Sequence, residues 1–194
     1  MRYPAGHKDR VRKQIVRAAS RRFRRRGGEG VAIADLMRDL KLTHGGFYRH
    51  FRGKEELFTE AFLASVDQAR QRMITAADAA PPGRQLEAII TTYLSAGHCA
   101  KPDEGCPLAA LTTEIARHPK GTRAAFDRIL HTHAAAFARY MPGGTSAERE
   151  RLAMVLFAGM AGALNLARAA ADDELRRAIL EQARSFYLDA LSPA

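Results

Sequence analysis

The chain has 194 residues, 46% of them hydrophobic, which is enough for one or two compact domains with a proper core. Its net charge of +10 sits in one segment: residues 1–58 hold 16 of the 31 Lys and Arg but only 6 of the 21 Asp and Glu, leaving the following 136 residues neutral. Two cysteines are too few for a disulfide scaffold, the Arg-rich start has no apolar signal core, and the longest apolar run, Leu152 to Ala167, is 16 residues, short of a membrane span; a soluble, cytoplasmic chain with no membrane partner is expected.

Helical spacing of Ala, Leu, Arg and Glu recurs throughout, and no alternating strand pattern is seen, so the fold class is all-α. The first helix is expected from about Asp9 to Arg26, with Val11, Ile15, Ala18, Ala19 and Phe23 on one face and Gly27-Gly28-Glu29-Gly30 as its stop. A second runs over Ala32 to Leu40, its Leu36, Met37 and Leu40 turned inward. After Lys41-Leu42 alone, a third short helix opens at Thr43. The fourth begins near Gly53-Lys54-Glu55-Glu56, with acids in its first turn, and continues to about Ala77. Ala79-Ala80-Pro81-Pro82-Gly83 is the clearest break. Beyond it, helices are expected at about 83–97, 107–118, 120–140, 146–170 and 172–191, with Ser146 as an incomplete cap on the fourth of these because Arg149 stands where a capping box wants Glu. Domains are expected at 1–58 and 59–194.

Two short helices joined by a tight turn form a helix-turn-helix, whose second member is shaped for the DNA major groove. The excess positive charge coincides with it, as a phosphate-binding module requires. Thr43 at the cap leaves the first backbone N–H groups of the third helix for a phosphate, and Gly45 and Gly46 carry no side chain to hold that tip off the DNA. Two glycines cost such a helix about 1 kcal/mol each relative to Ala. Arg49 can reach a phosphate or a guanine edge; Phe47 and Phe51, four apart, suit the core of the head. His7, Lys8 and Arg10 read as a basic arm for phosphates or the minor groove. Arg21, Arg22, Arg24, Arg25 and Arg26 form a denser run than such a head needs, and part of it is expected only to face solvent.

The order Ile15-Val16-Arg17-Ala18-Ala19, Phe23, Gly27, Val31, Ile33-Ala34-Asp35-Leu36, Leu42-Thr43, Gly45, Phe47-Tyr48, Phe51, Lys54, Glu56 and Leu57 resembles the head of TetR-family transcription regulators over about residues 9–62. That resemblance implies an all-helical homodimer of about nine helices, with a three-helix head that binds a palindromic double-stranded DNA operator and a body that accepts a small-molecule effector. It implies phosphate contacts from Tyr48, His50 and Lys54, and often from the Thr43 cap. Gly46 departs from the family, where Thr or Ser is commoner; the missing hydroxyl shifts sequence reading onto His44 and DNA shape. Repression is the simplest outcome, with activation as the other.

One recognition helix reads too few base pairs, so two-fold pairing is expected. The last two helices are the candidate interface: Ala158-Gly159-Met160-Ala161-Gly162-Ala163-Leu164 permits close approach, and Leu175, Ile179, Phe186, Leu188 and Leu191 supply apolar surface. An intramolecular core would use the same residues. An effector pocket is expected among Leu94, Leu111, Ile115, Phe126, Leu130 and Phe157, with Met73 and Phe137 beside them, for an apolar or weakly polar ligand.

Cys106 precedes Pro107, a residue favoured at the first helical position, and so falls at an N-cap, where thiols tend towards the reactive thiolate. With Cys99 seven residues earlier it is either a sensor of an oxidant or electrophile or a small buried cap. His98, Cys99 and Cys106 lack a fourth ligand at metal-site spacing, and His131 and His133 point to different helix faces, so neither metal nor cofactor is expected. No nucleophile–base pair or phosphate-cradling loop is visible, which leaves a small cytosolic thiol enzyme using Cys106 as the alternative to a regulator.

Overall fold

The computed structural model describes residues 6–191, and every regular element among them is a helix. In chain order these are α1 (His7–Arg26), α2 (Ile33–Asp39), α3 (His44–Phe47), α4 (Lys54–Asp78), α5 (Gln85–Tyr93), α6 (Ala96–Cys99), α7 (Pro107–Ile115), α8 (Lys120–Ala138), α9 (Ser146–Ala169) and α10 (Asp173–Leu191). The head is closed by Ile15, Ala19, Phe23, Leu36, Met37, Phe47, Phe51 and Leu57, all buried. Phe47 and Phe51 stack with centroids 5.3 Å apart, which makes them core.

The two-residue turn of the helix-turn-helix is a complete Schellman motif. Leu42 N–H donates to Met37 O at 2.9 Å and Lys41 N–H to Arg38 O at 2.9 Å, with Lys41 left-handed at φ 58°. Glycine is usual there; Lys41 bears a cost of about 1 kcal/mol for that conformation.

α4 is the spine. Its 25 residues extend about 37 Å, packing on α1 in the head and on α5 and α8 in the body. The boundary expected at 58/59 therefore falls inside a continuous helix.

Three local readings are corrected. The segment 83–97 is two helices: α5 stops at Tyr93, and the Ser95 hydroxyl accepts from His98 N–H at 3.1 Å to cap α6, giving ten helices among the described residues. α9 is capped by Thr145, one residue earlier than expected. The Thr145 hydroxyl accepts from Glu148 N–H at 3.2 Å and Glu148 accepts from Thr145 N–H at 2.9 Å, a full capping box. His7, Lys8 and Arg10 belong to the first turns of α1 and form no arm; residues 1–5 lie outside the described region.

α9 also revises the membrane argument. It is 24 residues long with mean hydropathy 1.6 over its most apolar window, so by length and composition it could span a bilayer. Helix propagates past the apolar run through Ser146–Arg151 and Arg168, which the run length alone missed. One face packs on α7, α8 and α10; Val155 and Leu166 of the other remain exposed.

Candidate nucleic-acid interface

The tip of α3 is open to solvent. Thr43, His44, Gly45, Tyr48 and Arg49 are exposed, and nothing lies near the position of a Cβ on Gly45. The Thr43 hydroxyl accepts from Gly46 N–H at 3.2 Å, and a Cβ on Gly46 would crowd that hydroxyl at 3.1 Å. Glycine at 46 thus lets the cap close over a very short helix. His44 and Tyr48 meet edge to face with centroids 5.7 Å apart, so the two exposed rings stand side by side on the outer face.

Arg12, unremarked in the sequence, fixes the far end of this unit. Its guanidinium donates to Glu60 at 3.1 Å, to Glu56 at 3.1 Å and to His50 O, and lies 4.2 Å over the Phe51 ring. Hydrogen bonding to Glu60 first, and then to Glu56, raises its pKa against the opposing effect of burial. The cation is spent on holding the end of the helix-turn-helix against α4, so it is structural. The only signal in the sequence was Glu56 and Glu60, four apart on one face of α4.

His50 is half-buried with Nδ1 shut from solvent and unpaired; burial, then Lys8 and Arg12, lower its pKa. Lys54 at the start of α4 reaches back to Glu29 O at 3.5 Å. His50 and Lys54 are thus less open than Tyr48 and Arg49. The arginine run of α1 also divides: Arg22 pairs with Asp39, Arg21 with Glu104 at 3.6 Å, and Arg24 is buried, donating to Gly105 O at 2.8 Å. Burial pulls Arg24 down to about 10, still charged at neutral pH.

The head is tied to the body at two places. At the first, Gly28 N–H donates to Glu114 Oε1 at 2.7 Å, Glu55 of α4 bonds His118 Nδ1 at 2.9 Å, and His118 stacks on Phe58 at 4.1 Å. At the second, Arg24 grips the loop before α7.

Of the six pocket residues expected, Leu94 lines a cleft of about 740 Å³ beside α10. Leu111, Ile115 and Phe157 are buried in the body's core, with Phe126 and Leu130 packed partly buried against it. Phe157 meets Tyr93 at 5.9 Å, His133 at 4.5 Å and Phe137 at 4.7 Å. His133 is 3% exposed with neither ring nitrogen paired, and burial lowers it to about 4. Cys106 is the N-cap of α7 as expected; it and Cys99 are both free and each 5% exposed. Cys106 N–H donates to His98 Nε2 at 2.8 Å, which leaves His98 Nδ1–H to donate to Tyr93 O at 2.6 Å. The Tyr93 hydroxyl lies against Cys106; burial first, then that thiol, push the phenol well above its ordinary value. Among the described residues no group of three or more His, Cys, Asp or Glu is placed to hold a metal.

Residues 15–61 match the sequence model of the bacterial regulatory proteins of the tetR family. The HTH-type transcriptional regulator LmrA of Bacillus subtilis is 28% identical over 105 residues, 53% of this chain and 56% of LmrA. The chain spans about half the length of the curated relatives it matches. Two solved structures share the fold: Escherichia coli NemR in its reduced form (TM-score 0.77, 19% identity, covering 95% of this chain and 98% of that one) and a TetR-family regulator from Cytophaga hutchinsonii (TM-score 0.79, 18% identity, 99% and 100%). The helix-turn-helix head and the ten helices of the described residues agree with these matches: residues 15–61 form a head of the tetR-family type, and the chain shares the fold of TetR-family regulators.

Proposed function

We propose that the chain is a ligand-responsive transcriptional repressor that binds a palindromic operator as a dimer in the cytoplasm and is released by a small molecule in its body. The observation that carries this is the exposed tip Thr43-His44-Gly45 with Tyr48 and Arg49 on a head bearing the molecule's whole charge excess. Thr43 and the α3 amides would anchor a phosphate, Tyr48 and Arg49 would flank it, and His44 would read base edges. His50 and Lys54 would add phosphate contacts after small side-chain rotations.

The dimer would form through α9 and α10. Val155, Ala158, Gly162 and Leu166 make an exposed stripe along α9, and Leu175 and Phe186 an exposed face on α10. Gly162 has open space where a Cβ would stand, whereas Gly159 is already filled by Tyr187 of the same chain. The small-residue run is therefore shared between the fold and the dimer. Repression follows from a bound dimer blocking polymerase. An effector acts by its differential affinity for two head separations, transmitted through α4 and the Glu114 and Arg24 ties.

A thiol reading of the effector rests on Cys106, which sits at the N-cap of α7 against Tyr93 and one hydrogen bond from His98. Only a small oxidant or electrophile would reach a thiol so buried. Alkylation of Cys106 that leaves DNA affinity unchanged disposes of it. The thiol-enzyme alternative gives way to the family, whose members are regulators.

The test is selection of genomic fragments bound by the purified chain, followed by gel shift. Enrichment of a two-fold symmetric sequence is expected; a chain that enriches no fragment contradicts the reading.

A further inference from the structure

The cleft between α6 and α10 has a composition that none of the core positions shares. Leu94, Ala96, Pro102 and Leu180 give it an apolar floor and wall. Around them stand Arg168, Arg177 and Arg184, with Glu181 as the one acid not already paired, since Asp173 is taken by Arg176. Neither the Arg177 nor the Arg184 side chain has an ion pair or hydrogen bond among the described residues. A cleft of about 740 Å³ is of the size that holds small organic ligands, which need apolar walls and a few fixed polar groups. Its surplus of guanidinium groups selects for negative charge, and guanidinium suits a planar carboxylate in particular.

The cleft also stays clear of the proposed dimer face. At 3.6 residues per turn, Leu180 lies roughly 120–140° around α10 from Leu175 and Phe186. A partner seated on those two leaves the arginine side open.

The cleft is joined to the head by a short path. Arg168 Nε donates to Cys99 O at 3.2 Å and Arg168 Nη2 to His98 O at 3.0 Å. A Cβ on Gly105 would lie 2.6 Å from Arg168 Nη2 and 2.8 Å from His98 Nε2, so only glycine lets both groups close on that backbone. Gly105 O is the acceptor of buried Arg24 on α1. A carboxylate beside Arg168 competes with the His98 and Cys99 carbonyls for its donors, and this loosens the loop that Arg24 grips.

Resting on the regulator reading above, we propose that this cleft is the effector site, that it takes a small organic anion with an apolar body, and that it acts on the head through Arg168, Gly105 and Arg24. Arg177 and Arg184 hold the carboxylate beside Arg168, and Leu94 and Leu180 bind the body. The core positions around Phe157 then serve packing.

The experiment is calorimetric titration of the full chain with decanoate and with 1-naphthoate, each below its micellar range, and with decyltrimethylammonium as the cation of matching body. Saturable binding of an anion at one per chain is expected, with none of the cation. Affinity should fall about tenfold or more in Arg177→Gln/Arg184→Gln, the loss of at least one charge-assisted hydrogen bond. Ala96→Trp, which fills the mouth and keeps every charge, should abolish binding, with melting curves confirming that both variants fold. The anion should also weaken binding to a selected DNA fragment in the wild type and not in the double variant. No saturable binding of either anion, equal binding of the cation, or full affinity in both variants overturns the site. Arginine-dependent binding that leaves DNA affinity unchanged overturns its role as an effector site. DNA affinity without any anion is read in the same assay, so failure of the regulator reading shows separately.

Discussion

Glu114 of the body reaches the backbone of Gly28 in the head, accepting at 2.7 Å the amide hydrogen of the second glycine past the end of α1. A Cβ at 28 would collide with that carboxylate. The glycines that stop α1 also let the body take hold of it, so the turn works as a joint.

Glu114→Ala should unpin the joint. Losing one charge-assisted hydrogen bond and stranding a part-buried amide should cost about 1–3 kcal/mol in denaturant unfolding. Hydrogen exchange at residues 27–30 should rise. Unchanged exchange there would mean that the contact carries no load.

Thr43→Ala should lower head stability by about 1 kcal/mol through loss of the cap, and Thr43→Ser should restore it. DNA affinity should follow the same order in gel shifts. Equal affinity of all three chains would show that the cap does not organise the tip.

Phe186→Asp together with Val155→Asp places charges on the exposed faces of α10 and α9, where these residues are 65% and 66% exposed. Sedimentation should show the wild type as a dimer and the double variant as a folded monomer with weakened operator binding. A double variant that remains dimeric would place the interface elsewhere.

His133 should make stability fall in acid. Burial lowers its folded pKa to about 4 against an ordinary 6.5, so the unfolded chain binds the proton more tightly. Stability from this residue is complete above pH 6.5 and is lost as pH falls from there towards 4, about 3 kcal/mol in all. His133→Phe should flatten the unfolding free energy over that window. An unaltered pH profile would show that another group is responsible.

Much of this was legible from the residues. Helical periodicity, the glycines after Arg26 and the two-residue turn at Lys41-Leu42 placed α1 to α4 closely, because local sequence dominates those features. The division of 83–97 into α5 and α6 was hidden, because Ser95 is an unremarkable residue until its hydroxyl takes His98 N–H. The cap of α9 was misread by one position, since Thr145 and Ser146 are equally good caps and only Glu148 decides between them. Pairings across the chain left no local trace. Arg24 with Gly105, Glu114 with Gly28, and Arg12 with Glu60 join residues 48 to 86 positions apart, and charge density alone made Arg24 look surplus.

The most direct measurement is duplex affinity as a function of salt for the wild type and for His44→Ala, Arg49→Ala and Lys54→Ala, on a selected fragment and on a scrambled one. The log–log slope should be steep, roughly 0.9 per phosphate contacted. Lys54→Ala should weaken both duplexes alike, His44→Ala the selected one alone, and the triple variant should lose binding to both. Salt-independent binding, or a triple variant that still binds as the wild type does, would contradict the assignment of the α3 tip as the DNA-reading surface.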